Sequence, residues 1–116
     1  MHWKTTKYTR THVEEVPKQS GLYAVVETRR VFGLLGNVKI LYVGHTQNLR
    51  RRMREHLNPW SQHNVQLQNY VSLNSSLEFW FSVLPSEEAR KAEKNLIREL
   101  HPSYNVVFNT KENGYV

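Results

Sequence analysis

Apolar residues along the chain fall in short runs separated by polar, turn-forming stretches. Gly21 to Glu27 (Gly-Leu-Tyr-Ala-Val-Val-Glu) and Val38 to Gly44 (Val-Lys-Ile-Leu-Tyr-Val-Gly) are rich in β-formers and predict two strands. The stretch between them, Thr28 to Asn37, carries two arginines, Gly33 and Gly36, and predicts an extended hairpin connection rather than a tight turn. Thr46 is a candidate N-cap for a helix over Gln47 to Leu57, broken by Asn58-Pro59. Residues 60 to 76 are ambiguous, with a short helix allowed over Asn64 to Tyr70. From Leu77 to Leu84 apolar and aromatic side chains occupy both faces of a third strand. Pro85 then opens a helix with Glu87 and Glu88 in its first turn, where carboxylates suit the positive helix end. That helix runs to Leu100 and stops before Pro102, and Tyr104 to Phe108 reads as a final short strand. The order β-β-α-(α)-β-α predicts a small α+β domain with three principal strands.

Two helical wheels contain residues that do not fit a plain core-and-surface division. In the last helix, Ala89, Ala92, Leu96, Ile97 and Leu100 form an apolar stripe, with Lys91, Lys94, Asn95, Arg98 and Glu99 opposite. Glu93 falls inside the stripe. A core-facing carboxylate needs a partner, a metal or a raised pKa, so it marks an ion pair, a stripe edge that reaches solvent, or a functional group. In the first helix, Leu49, Met53 and Leu57 form the core stripe, while Arg51, Arg54 and Glu55 point away. Arg52 and His56 share a ridge one turn apart, with Arg52 placed to point back toward the sheet and Arg50 on the opposite edge. An inward arginine and an inward glutamate on separate helices fit a buried salt bridge or a phosphoryl-transfer site. Tyr23 and Tyr42 stand in the two adjacent strands, each near a glycine, a residue that in a strand often marks close backbone approach.

Composition narrows the partner. The 116 residues make one domain, 1–116, with a core of about 20–108 behind a short basic N-terminal extension. Sixteen Lys and Arg against ten acidic residues leave a net charge of +6, which favours a polyanion. The absence of cysteine excludes disulfides, thiolate catalysis and Cys-based zinc sites, and no two of the six histidines share the i, i+4 spacing of a helical metal pair. No apolar run approaches a membrane span and the N-terminus lacks a signal-peptide pattern, so a soluble, cytoplasmic chain without a membrane partner is expected.

Taken in order, these residues resemble the GIY-YIG endonucleases. Gly21-Leu22-Tyr23 matches the first motif and Tyr42-Val43-Gly44 the second. Thr46, Leu49, Arg52 and His56 follow at the family's spacing, then Glu93 to Ile97 and the closing Pro102-Ser103-Tyr104-Asn105. The resemblance covers roughly residues 20 to 105. It implies a three-stranded antiparallel sheet flanked by helices and cleavage of DNA phosphodiester bonds with one divalent cation, Mg²⁺ or Mn²⁺. Carried over by position, Tyr23 and Tyr42 become the motif tyrosines, Arg52 the catalytic arginine, Glu93 the metal ligand and Asn105 the closing asparagine. His56 matches a histidine common in members, and His45 a position where members carry varied polar residues.

Under that resemblance Tyr23 is the favoured group for activating water, with Tyr42 or His56 as alternative proton relays. A phenol of ordinary pKa ~10 needs roughly 4 kcal/mol of anion stabilisation to act near pH 7, for which the nearby metal and cations are the expected source. His45, Arg50, Arg51 and Arg54 make up a DNA-contacting set, extended by Lys91, Lys94 and Arg98. The interval between the motifs is longer than the family's, and Arg29 and Arg30 make that insertion a candidate DNA-contacting arm. Specificity then has to come from this domain, from self-association or from a partner protein. The competing classes are a catalytically silent nucleic-acid-binding module and a basic protein-interaction domain; the filled positions Tyr23, Tyr42, Arg52 and Glu93 favour the nuclease.

Overall fold

A computed structural model describes residues 1–58 and 75–102 of the chain. Four antiparallel strands form one sheet in the order β1-β4-β2-β3, with β1 Lys4–Lys7, β2 Gly21–Val31, β3 Leu34–Thr46 and β4 Ser75–Val83. Helix α1 covers Leu49–His56 and helix α2 covers Ser86–Leu100. A 3-10 turn, Arg10–Glu15, follows β1.

The sheet is covered on both faces. On one, Leu49, Met53 and Leu57 of α1 pack with Tyr8, Val13 and Val16 against Tyr23, Val25, Tyr42, Phe79 and Phe81. Leu49 and Met53 are fully buried, each contributing about 1.5–3 kcal/mol of apolar transfer free energy. On the other face Leu96 and Ile97 of α2 pack on Ala24, Val26, Val43 and Ile40, beside Trp80. Trp80 is thus a packing residue, its indole N–H donating to Glu78 Oε1 at 3.0 Å.

Three expectations are corrected. Among the described residues the sheet has four strands, because the N-terminal segment is part of the fold. Lys4 pairs with Phe81 and Lys7 with Glu78, while Arg50 Nε donates to Val16 O at 2.7 Å and Arg50 Nη2 to Glu14 O at 3.1 Å. Alternation is weak over Lys4–Lys7, whose only buried residue is Thr6, so the pairing rests on backbone hydrogen bonds that leave little pattern. The hairpin connection is not extended: β2 and β3 run to Val31 and from Leu34, joined by the two residues Phe32 and Gly33 at φ 50° and 83°. Two left-handed residues give a turn whose twist matches the strands, and Phe-Gly is an unusual sequence for it. The cap of α1 is Asn48, whose Oδ1 accepts from the Arg51 backbone N–H at 3.0 Å, so the helix starts at Leu49. Thr46 instead ends β3, and its hydroxyl accepts from the Asn48 N–H at 3.1 Å. The α2 reading holds, with His101 in a left-handed cap at φ 47° ahead of Pro102. The expected elements over Asn64–Tyr70 and Tyr104–Phe108 lie outside the described residues.

Val16 is fully buried although it sits in the polar N-terminal stretch. Val16→Ala should therefore lower unfolding free energy by about 1–3 kcal/mol, read from urea denaturation. A change within about 0.5 kcal/mol would make the segment an appendage.

Candidate active site

The site begins with the register of β2 and β3. Tyr23 stands opposite Gly44 and Val25 opposite Tyr42, so the two tyrosines are diagonal neighbours on the α1 face. Their rings lie 6.0 Å apart, and each meets the His56 imidazole edge-on at 5.4 Å. The glycines of both motifs have steric causes. A Cβ at Gly44 would overlap the Tyr23 ring, meeting Cζ at 2.5 Å and Cε1 at 2.7 Å; a Cβ at Gly21 would overlap the Ser82 carbonyl oxygen. Gly44 thus lets the Tyr23 ring lie across edge strand β3.

Helix α1 brings two polar groups to the Tyr23 hydroxyl. Arg52 Nε donates to it at 3.2 Å, and it lies 2.9 Å from His56 Nε2. The Tyr23 oxygen accepts from Arg52, and its proton is available to His56 Nε2 when the imidazole carries its own on Nδ1. Tyr23 and His56 are each 1% exposed. Burial pushes the Tyr23 phenol well above its usual pKa, Tyr42 and Glu93 add to the rise, and Arg52 opposes it without prevailing. Among the protein's own groups, desolvation outweighs the Arg52 guanidinium. Arg52 is itself held more firmly protonated. Burial works against its charge, but Tyr23, Glu55 and Tyr42 outweigh it. Its Nη1 pairs with Glu55 Oε1 at 3.3 Å.

The carboxylate comes from the other face. Successive strand residues point oppositely, so His45 lies on the α2 side of the edge whose next residue is Gly44. His45 Nδ1 donates to Glu93 Oε2 at 2.8 Å. The Glu93 side chain is 21% exposed, so it sits at the stripe's edge with an imidazole partner and an approach from solvent. A hollow of about 380 Å³ beside it is lined by His45, Thr46, Gln47, Ser86, Glu87 and Arg90.

Tyr23, Tyr42, Arg52, His56, His45 and Glu93 are thus gathered around the Gly44 edge, while Asn105 lies outside the described residues. The arginines divide. Arg50 ties the N-terminal segment down through two carbonyls and Glu14 at 3.2 Å. Arg54 is exposed and 3.5 Å from Glu14. Arg51 is exposed and makes no ion pair among the described residues. Arg29 and Arg30 are exposed on the hairpin, Arg30 at 3.8 Å from Glu78. His45, expected on the DNA-facing surface, is hydrogen-bonded to Glu93 and keeps a partly exposed side chain.

Two contributors escaped the sequence reading. Tyr8 stacks on Phe79 at 6.4 Å and lies within electrostatic reach of Arg52. Its buried hydroxyl has no hydrogen-bond partner among the described residues. Nothing in the basic stretch around it signals this. Glu55 tethers Arg52 from three residues on, a spacing that does signal contact on a helix.

A family model for the UvrC-like GIY-YIG domain matches residues 19–106, and the chain belongs to that family. It is 32% identical over 106 residues to the UvrABC system protein C of Bartonella henselae, covering 90% of this chain and 14% of that protein. It is also 32% identical over 97 residues to the protein of the same name from Bdellovibrio bacteriovorus, covering 84% and 14%. The chain therefore spans about a seventh of the length of these curated relatives. Among solved structures, the GIY-YIG N-terminal endonuclease domain of UvrC from Thermotoga maritima, bound to magnesium, superposes with a TM-score of 0.56. That match is at 24% identity over 83% of this chain and 93% of the other, and it supports the fold.

Because the folded pKa of Tyr23 lies above the unfolded value of ~10, folding favours the protonated phenol. Its contribution is complete below pH ~10 and lost as pH rises through the folded pKa. Unfolding free energy should fall as pH rises beyond ~10, less steeply in Tyr23→Phe. Parallel slopes in the two proteins would contradict a buried, neutral Tyr23.

Proposed function

We propose that this chain is a divalent-metal-dependent nuclease domain that hydrolyses DNA phosphodiester bonds. One observation carries the reading: the buried Tyr23 hydroxyl sits between Arg52 and His56 at the same strand edge where Glu93 waits on the other face. Hydrolysis needs a proton taken from water, charge relief on the phosphate and a means of stabilising the leaving oxygen.

Because burial keeps Tyr23 neutral, a resting phenolate is not the base. The hydroxyl instead relays a proton: it takes one from the attacking water as it passes its own to His56 Nε2, and the new water oxygen–phosphorus bond forms as the ester oxygen departs. Arg52 faces the phosphate with the guanidinium N–H groups left over by Tyr23 and Glu55, and its charge is fixed at any working pH. Tyr42 closes the aromatic wall around the imidazole.

The side chains fit a hard cation. No group of three ligating residues exists among the described residues, so a site enclosed by protein is not offered. A single carboxylate, oriented by His45 and open to solvent, suits Mg²⁺ or Mn²⁺ whose other positions are filled by water and substrate oxygens. Such an ion supplies Lewis acidity at the phosphate and the leaving oxygen. The relatives are named as parts of a UvrABC system; for this chain we propose that specificity comes from a partner protein or from self-association. No helix of the described residues is long and apolar enough to cross a membrane.

Glu93→Ala should reduce Mg²⁺-dependent plasmid nicking at least about a hundredfold while duplex binding in EDTA stays near wild type. Wild-type protein that binds but nicks no duplex, branched or single-stranded DNA with either ion would leave a binding module. Arg52→Ala should cost nicking about 10²–10³-fold, against less than about tenfold for the exposed Arg51→Ala. Equal losses would contradict the assignment of Arg52 to the phosphate.

A further inference from the structure

Among the described residues the β2–β3 hairpin runs beyond the end of β4. Strand β4 accompanies β2 only as far as the pair Arg29–Ser75, so beyond it two strands continue with no third partner among the described residues. This ribbon carries four apolar residues into solvent: Val31 and Leu35 are half exposed, Leu34 is 75% exposed, and Phe32 at the turn is fully exposed. Folding alone gives no reason for Phe32. It occupies a left-handed position, φ 50°, where Asn is the favoured residue before Gly and a bulky side chain is strained. An aromatic held there, without any contact that repays the strain, points to a ligand.

The surrounding charge says which kind. From Thr28 to Arg54 the chain contains no acidic residue and carries Arg29, Arg30, Lys39 and the α1 arginines. Arg30 remains 54% exposed despite its distant pair with Glu78. The edge strand β3 thus connects the hairpin tip to the active-site end along a stretch of sequence free of negative charge. A polyanion matches that strip. Among polyanions, one with apolar stacked layers would also receive an aromatic tip.

We propose that Phe32 inserts between adjacent base pairs of a DNA duplex, unstacking them, while Arg29 and Arg30 hold the flanking phosphates. This rests on the reading of the domain as DNA-acting and adds a second contact point. Nine residues separate Tyr23 from Phe32, about 30 Å of extended strand. The wedge would therefore act about nine base pairs from the bond being cut, given roughly 3.4 Å per base pair. It gives the single domain a way to read duplex deformability at a distance from its chemistry.

The test is binding of the full chain in EDTA to 2-aminopurine-labelled duplexes, with the label moved stepwise along the DNA. Wild type should brighten the label at one or two adjacent steps. Phe32→Asn should abolish that signal and weaken duplex affinity about tenfold, with melting temperature unchanged or higher because Asn-Gly suits the turn. Phe32→Trp should keep the signal. Wild-type binding without brightening, or full brightening by Phe32→Asn, overturns the wedge alone. If Phe32→Asn changes sedimentation of the free protein and leaves DNA binding intact, the tip belongs to a second copy. A wild-type chain that binds no DNA overturns the wedge and the nuclease reading together.

Discussion

The rest of the site depends on where the Tyr23 hydroxyl is held. It is buried, receives a hydrogen bond from Arg52 and lies against His56, and it reaches that position only because the opposing residue, Gly44, has no side chain. The strand register sets Tyr23 against Gly44, and the Asn48 cap fixes where α1 begins and hence which of its residues face inward. Arg50 belongs to the same scaffold. By holding the Val16 and Glu14 carbonyls it ties the N-terminal segment to α1, where Val13 and Val16 join the core of that face. Four neighbouring arginines therefore do different work, according to the direction each takes from one short helix.

A second consequence is the division of labour across edge strand β3. The phenols and imidazole lie on the α1 face, away from solvent, where a proton can pass over one short hydrogen bond. The carboxylate lies on the α2 face, partly exposed and oriented by His45. In the proposed reaction the cation-binding group has to exchange water while the relay is shielded from bulk solvent, and their places on opposite faces of one edge suit both roles. The arrangement also explains the high pKa of Tyr23, since the same burial that shapes the relay disfavours an anion.

Much of this was legible in the chain, for physical reasons that differ by residue. Leu49, Met53 and Leu57 announced their face because helical periodicity is strong over even eight residues. Arg52 and His56 were placed inward by the same wheel, and Glu93 by its conflict with an apolar stripe. His45 as the partner of Glu93 was not legible, because the contact joins a strand end to a helix forty-eight residues later. Strand β1 escaped because its pairing is made by backbone groups, and Tyr8 because a lone aromatic in a basic stretch has no period to reveal it. The tight turn at Phe32 was masked by a residue that the turn geometry does not favour.

The most direct test of the central claim is a double-mutant cycle on single-turnover, metal-dependent nicking with Tyr23→Phe and His56→Phe. If the hydroxyl and the imidazole form one relay, either change removes it, and the double variant should be slower than the worse single variant by less than about threefold. Losses that multiply, each substitution costing its full factor in the presence of the other, would show that the two residues act independently and would contradict the account.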